Sequence, residues 1–322
     1  MIFAPTVKRL ESSVPYLFDS VEEISANSLL RYVTVKPSMC GHNSLLVGRI
    51  GDWTWEIVSH ACGINVFNAK DAEGIPTYLS FYYYHLLGDS EFYLHRSTFG
   101  DVLQVASTCF AFTSESLLSL HRLTYLDERC PAEPVTLEEF FLRPRPGCLY
   151  AMNVNRWIKR GAQGNGQLCS ATPVGFRFQH LPSVPHDLSP RLSYDKARRC
   201  GHFEHPVNCP RVGNYDVPYD VDVSRDFNGV GLLYFSSFFS IVDKAVSAVW
   251  ARLGRTYQDY FARRVTAERV LYLGNADAGA ALSLKVTHRA TKGLHAVEHL
   301  DIQIQEIDTQ RLLAIADVLI QS

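Results

Sequence analysis

The sequence predicts an α+β protein in which one unit, a long apolar helix wrapped by an antiparallel sheet, occurs twice. Three observations carry that prediction. Two segments have helical apolar spacing bounded by turn-forming residues; after each, the apolar period changes from helical to two; and each is preceded by a short extended stretch. In chain order, LLRYVTV (29–35) reads as a strand, and the first helix opens at Gly41-His42-Asn43 and runs through SLLVGRIGDWTWEIVSHACG to Gly63. PTYLSFYYYHLL (76–87), DVLQVASTCFAF (101–112) and ESLLSLHRLTY (115–125) follow, rich in aromatic and β-branched residues and alternating as half-buried strands do. YDVPYDVDV (215–223) then opens a second unit, whose helix runs from Asp226-Phe227-Asn228-Gly229 through VGLLYFSSFFSIVDKAVSAVWARLG to Gly254. Strands are expected at 269–276, 280–290, 296–307 and 311–321, with Asp308-Thr309-Gln310 as one of the turns. Each helix begins with Asn or Asp, whose side chain caps free backbone N–H groups, and ends near a glycine suited to the left-handed C-terminal position. Laying Leu45-Leu46 over Leu232-Leu233 sets Gly41 opposite Asn228, an offset of 187 residues (232 minus 45) that suggests internal duplication.

One helix that is hydrophobic nearly all round supplies the apolar cover that one sheet face needs. A single such helix in an antiparallel sheet is the hot-dog layout, and two copies make a double hot-dog fold. We divide the chain into a first repeat with an N-terminal extension (1–155), a crossover (156–212) rich in Gly, Pro and polar residues, and a second repeat (213–322).

Composition excludes several classes. With 322 residues, 47% hydrophobic and 20% charged, the chain has material for real cores, and its formal charge of -2 draws in neither nucleic acid nor an anionic membrane. The longest apolar stretch, 229–242, is broken by serines and falls short of the ~20 residues a bilayer span requires. Lys8, Arg9 and Glu11 interrupt any signal-peptide core, so a cytoplasmic location is expected. Eight scattered cysteines without CxxC spacing read as reduced, buried hydrophobes.

The strongest chemical candidates are the two helix entrances, with His42, Asn43 and Ser44 at one and Asp226 and Asn228 at the other. Helix N-termini present unpaired N–H groups and a positive dipole end, suited to a thioester oxyanion or an enolate; the plain alternative is capping alone. Gly41 and Gly229 would let a substrate approach the backbone. The second candidate is the run Tyr82-Tyr83-Tyr84, followed by His85. Strict alternation sets Leu79, Phe81, Tyr83 and His85 on one face and Tyr78, Ser80, Tyr82 and Tyr84 on the other. Aromatic packing is the alternative, and a phenol with a pKa near 10 is a poor nucleophile until a base or a positive dipole favours its anion. CGHFEHPVNC (200–209) holds Cys200, His202, His205 and Cys209, a zinc-type ligand set at compressed spacing, which we set against an ordinary surface loop and expect to be metal-free. Arg96, Arg143, Arg145, Arg263 and Arg264 are candidates for phosphate or carrier-protein contacts. No GxGxxG dinucleotide fingerprint, Walker loop or GxSxG elbow is present.

The strings MCGHNSLLVGRIGDWTW (39–55), PTYLSFYYYHL (76–86), STFGDVLQV (97–105), RPGCLYAMNVNRWI (145–158), VDVSRDFNGVGLLYFSSFFSIVD (221–243) and YLGNADAG (272–279) resemble the LnmK-type acyltransferase/decarboxylase family of leinamycin-type polyketide biosynthesis. The resemblance extends over most of the chain from about Val33. It implies a double hot-dog fold acting on methylmalonyl-coenzyme A, or malonyl-coenzyme A with a smaller pocket. The acyl group would pass to a tyrosine oxygen, lose carbon dioxide, and move as propionyl or acetyl to the phosphopantetheine thiol of an acyl carrier protein, with no metal or organic cofactor. The nucleophile carries over to the Tyr82–Tyr84 run, with Tyr78 the other candidate. Amides near His42-Asn43 or Asn228-Gly229 would hold the enolate, and His42, His85 or Asp226 would deliver the proton. Expected partners are the acyl-coenzyme A substrate, a polyketide-synthase acyl carrier protein and, as a homodimer, a second copy of the chain. Two rival functions stand beside it: a hot-dog thioesterase or dehydratase using His42 and Asp226, and a non-catalytic acyl-carrier docking module.

Overall fold

A computed structural model of the chain describes residues 16, 18–41, 45–113, 115–126, 131–161, 164–291, 293 and 296–321. The first repeat contains β1 (Ser20–Ser25), β2 (Ser28–Thr34), α1 (Leu45–Cys62), β3 (Tyr78–Leu87), β4 (Val102–Thr113), β5 (Ser116–Tyr125) and α2 (Leu137–Leu142), and β6 (Cys148–Gly161) runs across the expected boundary at residue 155 into the crossover. β7 (Gly164–Ser170) and α3 (Arg191–Cys200) lie in the crossover. The second repeat contains β8 (Arg211–Asp220), α4 (Ser237–Arg252), α5 (Tyr257–Ala262), β9 (Arg264–Tyr272), β10 (Ala281–Ala290), β11 (Val297–Glu306) and β12 (Leu312–Gln321).

Eleven strands form one antiparallel path, β1-β2-β4-β5-β6-β3-β9-β12-β11-β10-β8, with β7 paired to β6. From β2 to β3 and from β8 to β9 the order reads the same way: β2-β4-β5-β6-β3 meets β9-β12-β11-β10-β8 through the β3–β9 pair, where His85 lies opposite Arg269. That palindrome is the duplication expected from the sequence. It is sharpened by two matching irregularities: β3 bulges at Tyr82 against β6, and β9 bulges at Thr266 against β12.

Both long helices lie on one face of the sheet. α1 buries Leu46, Val47, Ile50, Trp53, Ile57 and Val58, and α4 buries Phe238, Phe239, Ile241, Val242, Ala245, Val246 and Val249, each set recurring every three or four residues. The opposite sheet face is not left to solvent. α2, α3 and the crossover cover it, packing Phe140, Leu188, Tyr194 and Phe203 over Tyr83, Leu120, Leu271 and Ile315. This explains a crossover of such length: it closes a second core, and it contains β7 and α3 where an irregular path was expected.

Two further expectations are corrected. The second helix starts at Ser237, not at Asn228. Asn228 Oδ1 accepts the N–H groups of Val230 (3.2 Å) and Leu232 (2.9 Å), so its side chain closes a turn and Leu232-Leu233 precede the helix instead of starting it. The alternation of β3 breaks at the bulge. Phe81 and Tyr84 both face the helices, while Tyr82 and Tyr83 both face the other core. β6, on which the central pairing depends, was missed as a strand, as were the edge strand β1 and the short helices α2, α3 and α5.

Candidate active site

Two cavities meet where β3 passes the segment leading into α4. The smaller, about 240 Å³, is bounded by Tyr78 and Phe81 of β3, Arg156 of β6, Tyr272 of β9, and Asn275 and Arg311. The larger, about 520 Å³, lies against Trp55 of α1, the turn at Val66–Ala69, and Phe227. Trp55, Tyr78, Asn228, Val230, Tyr234 and Phe235 line both, so the two are lobes of one cleft. Strand β3 comes from one repeat and the wall 227–235 from the other; the cleft therefore exists only because the repeats pair through β3 and β9.

The wall is fixed by hydrogen bonds. Beyond the Asn228 turn, Tyr234 N–H donates to Asp226 O (2.7 Å), and Asn275 both accepts from Leu233 N–H (3.0 Å) and donates to Leu233 O (2.9 Å). Asn165 Nδ2 donates to Gly231 O (2.8 Å), and Arg160 donates to Val230 O. Gly231 has φ +70, a left-handed conformation that favours glycine at this corner. Phe235 is wedged between the repeats: its ring stacks on Phe81 (centroids 4.0 Å, 28°) and lies where a Cβ on Gly51 of α1 would be 2.2 Å from it.

Charge in the smaller lobe is one-sided. Arg156 and Arg311 line it, and among the described residues no Asp or Glu does. Arg311 is held by Gly166 O (3.0 Å), Asn275 O (2.7 Å) and Glu306 (3.5 Å), and Arg156 lies 4.7 Å from the centre of the Tyr82 ring. Glu306 pairs with Arg311, while Arg156 has no ion pair among the described residues, so the lobe presents a net positive face suited to an anionic ligand group. Three phenols face the cleft. Burial, with the Asp52 carboxylate adding to it, pushes Tyr234 up to about 12. Burial raises Tyr272 well above its ordinary value, and its hydroxyl donates to Phe235 O at 3.1 Å. Tyr78, the third, lines both lobes.

The residues expected from the sequence fall in several places. His42 and Asn43 lie outside the described residues. Asn228 lines both lobes. With Oδ1 engaged by two amides, its Nδ2 is the side-chain donor left over for a ligand. Asp226 is buried behind the wall, accepting from Tyr219 Oη (2.7 Å), Asp222 N (2.8 Å) and Arg225 Nε (3.2 Å), and lines neither lobe. The first amides of α4 are engaged locally: Ser237 with Tyr234 O (3.0 Å), Phe238 with Phe235 O (3.3 Å) and Phe239 with Ser236 O (3.1 Å). Tyr82, Tyr83 and Tyr84 line neither lobe. Tyr82 and Tyr83 pack on Tyr194 (5.3 and 5.6 Å between centroids), and Tyr82 reaches the cleft only through Arg156. Tyr84 lies under the floor, near Phe81, Phe235 and Phe239. His85 faces the outer core against Phe140, where burial and the Arg269 charge lower its pKa to about 3.

Of the arginines singled out, Arg263 is buried against Asp243, and Arg145 pairs with Glu133 and Glu139. Arg156 and Arg311, which do line the cleft, were missed; one lies within β6 and the other just before β12, remote in sequence, and pairing across the sheet brings them together. Among the described residues, no three of Cys200, His202, His205 and Cys209 converge. The cluster that does form among the described residues is His299, Asp301 and Asp317, whose carboxylates already face arginines: Arg269 Nε donates to Asp317 at 2.9 Å, and Arg289 Nε lies 3.7 Å from Asp301 in an ion pair.

Fold and site together define a double hot-dog protein with its cleft at the repeat junction. The family model described as the LnmK N-terminal Hot Dog Fold domain matches residues 30–206, and the chain belongs to that family. Among solved structures, the 12:0-ACP thioesterase from Umbellularia californica is similar at a TM-score of 0.57 and 9% identity, covering 94% of this chain and 100% of that one. An acyl-ACP thioesterase from Bacteroides thetaiotaomicron is similar at 0.53 and 9%, covering 91% and 97%. Identities this low establish shared fold. No curated protein matches the sequence. Among the described residues no helix is long and apolar enough to cross a membrane.

Proposed function

We propose that the chain is an acyl-thioester enzyme, and specifically an acyltransferase/decarboxylase that takes a malonyl-type acyl group from coenzyme A and delivers the decarboxylated acyl group to an acyl carrier protein. The observation that carries this reading is Tyr78, placed where the two lobes meet, beside two arginines with no acid among the described residues lining their lobe. Family membership and the thioesterases of the same fold support the thioester class.

In this reading the Tyr78 oxygen bonds to the thioester carbonyl carbon, the C–S bond breaks, and coenzyme A leaves as the thiol carrying the phenol's proton. The bond to the carboxylate carbon then breaks; carbon dioxide departs, and the electron pair is held as an enolate. In this reading the Asn228 side-chain amide donates to that oxygen, while Arg156 and Arg311 bind the acid end before it is lost. The α-carbon takes up one proton from solvent, and the carrier thiol displaces Tyr78 to give the new thioester, its proton returning to the phenol oxygen. Asp226 positions the wall: its backbone carbonyl accepts from Tyr234 N–H (2.7 Å) and Ser237 Oγ (3.0 Å).

The test is incubation with methylmalonyl-coenzyme A and a phosphopantetheinylated carrier protein. The expected products are propionyl carrier and an equal amount of carbon dioxide, both lost in Tyr78→Phe. Free acid with no carrier acylation would replace this reading with a thioesterase; carrier binding with no turnover would replace it with a docking module.

A further inference from the structure

Resting on the reading just given, we infer that the malonyl-type substrate carries an alkyl substituent of about four to eight carbons, seated in the larger lobe of the cleft, each carbon displacing roughly one water's volume of about 30 Å³. The two lobes differ in chemistry on either side of Tyr78. The smaller contains both arginines; the larger has one charged residue among its described lining, Asp52, whose side chain is 51% exposed and within 3.4 Å of Arg49. Trp55, Val66, Ala69, Pro76, Phe227 and Phe235 give the larger lobe an apolar wall, with Asn68, Thr77, Asn228 and Tyr234 as uncharged polar lining. A ligand satisfying both lobes carries a carboxylate and an alkyl chain on one α-carbon, whose third branch, the thioester carbonyl, then lies at Tyr78.

Size argues the same way. A methyl substituent would fill roughly 30 Å³ of a lobe of about 520 Å³, leaving apolar walls in contact with water. A chain of four to eight carbons occupies about a quarter to half of it and removes those walls from solvent, which is the driving force for binding. The lobe is not a gap that simple side-chain movement closes. Phe235 is pinned between Gly51 and Phe81, and Ala69 is tied to Thr77 by a backbone hydrogen bond of 3.0 Å.

The experiment is a chain-length series of malonyl-, methylmalonyl-, butylmalonyl- and hexylmalonyl-coenzyme A with the intact protein, read as kcat/KM for carbon dioxide release. Each buried methylene is worth about fourfold, so butyl- or hexylmalonyl is expected to exceed methylmalonyl by at least tenfold. Ala69→Leu, which narrows the lobe, is expected to reverse that order. Methylmalonyl turned over as well as the longer esters overturns the inference and leaves the proposed function standing. Failure to turn over any ester overturns both. The series on the unaltered protein decides the matter even where Ala69→Leu does not fold.

Discussion

Gly51→Ala is a small change with a large expected effect on the cleft. Gly51 is buried within α1, and a Cβ built there lies 2.2 Å from Phe235 Cζ and 2.7 Å from Cε1, against an ordinary contact that begins at 3.4 Å. The ring must therefore retreat by about 1.2 Å. It is backed by Phe81 at 4.0 Å and, stacked at 6.0 Å, by Tyr84, so the open direction is into the cleft that Phe235 lines. Overpacking of this kind costs about 1–3 kcal/mol, while replacing a helical glycine by alanine returns about 1 kcal/mol. The net loss is up to about 2 kcal/mol, which a domain stable by about 5–15 kcal/mol survives. Gly48→Ala is the matched control, since its Cβ meets Ser236 Oγ at 3.6 Å and Tyr234 Oη at 3.7 Å, ordinary contact distances. Urea denaturation with steady-state kinetics checks the pair. Gly51→Ala is expected to be the less stable of the two and to lose at least tenfold in kcat/KM, whereas Gly48→Ala gains stability and keeps its activity. Equal stability gains and equal activities in both variants would refute the wedged position of Phe235.

Three further outcomes are expected. His121 is buried between Thr54 (2.9 Å) and Ser107 (2.8 Å), and burial, with the Arg31 charge adding to it, lowers its pKa to about 3. Because the folded state holds it neutral, its contribution is full above the unfolded value near 6.5 and is lost as pH falls toward 3, on the order of 4 kcal/mol; urea midpoints at pH 7, 5 and 4 should fall steeply, and less so in His121→Gln. Glu139→Ala strands the buried Arg122 guanidinium, which now donates to both carboxylate oxygens at 2.9 and 3.1 Å, and should lower unfolding free energy by about 3–5 kcal/mol, with partial recovery on adding Arg122→Met. Tyr84→Phe removes a buried hydroxyl that lies near Asn153 without a well-formed hydrogen bond, so stability should stay within about 1 kcal/mol of the parent, a result thermal melting would show.

Much of the fold was legible because burial imposes a period. The apolar stripes of α1 and α4 follow directly from which face meets the core, and β4, β5, β10, β11 and β12 were legible from their apolar, β-branched and aromatic residues, although β4, β5 and β12 are buried along both faces. What was not legible had no local signature. The bulge at Tyr82 is one extra residue against β6, and nothing in YLSFYYYHLL marks which tyrosine is extra, so the faces of the run were misassigned from that point on. Asn228 was read as a helix cap because capping and turn closure both use a side-chain oxygen accepting nearby amides; only the partners, Val230 and Leu232, distinguish them. The crossover read as loop because its apolar residues are spaced to cover a sheet instead of to build one. In the candidate site, Asn228 was found from its place beside a helix entrance. Arg156 and Arg311 were not, since pairing across the sheet, and not spacing, brings them to one cavity.

The central claim is that the cleft around Tyr78 is where the acyl group is taken up. Intact-protein mass spectrometry after incubation with a malonyl-type coenzyme A ester, without carrier protein, followed by peptide mapping, tests it most directly. The account predicts an acyl adduct on Tyr78 that is absent in Tyr78→Phe and undiminished when Tyr82, Tyr83 or Tyr84 is changed to Phe. An adduct on Tyr82, Tyr83 or Tyr84, or consumption of the ester by Tyr78→Phe at the parent rate, would contradict it.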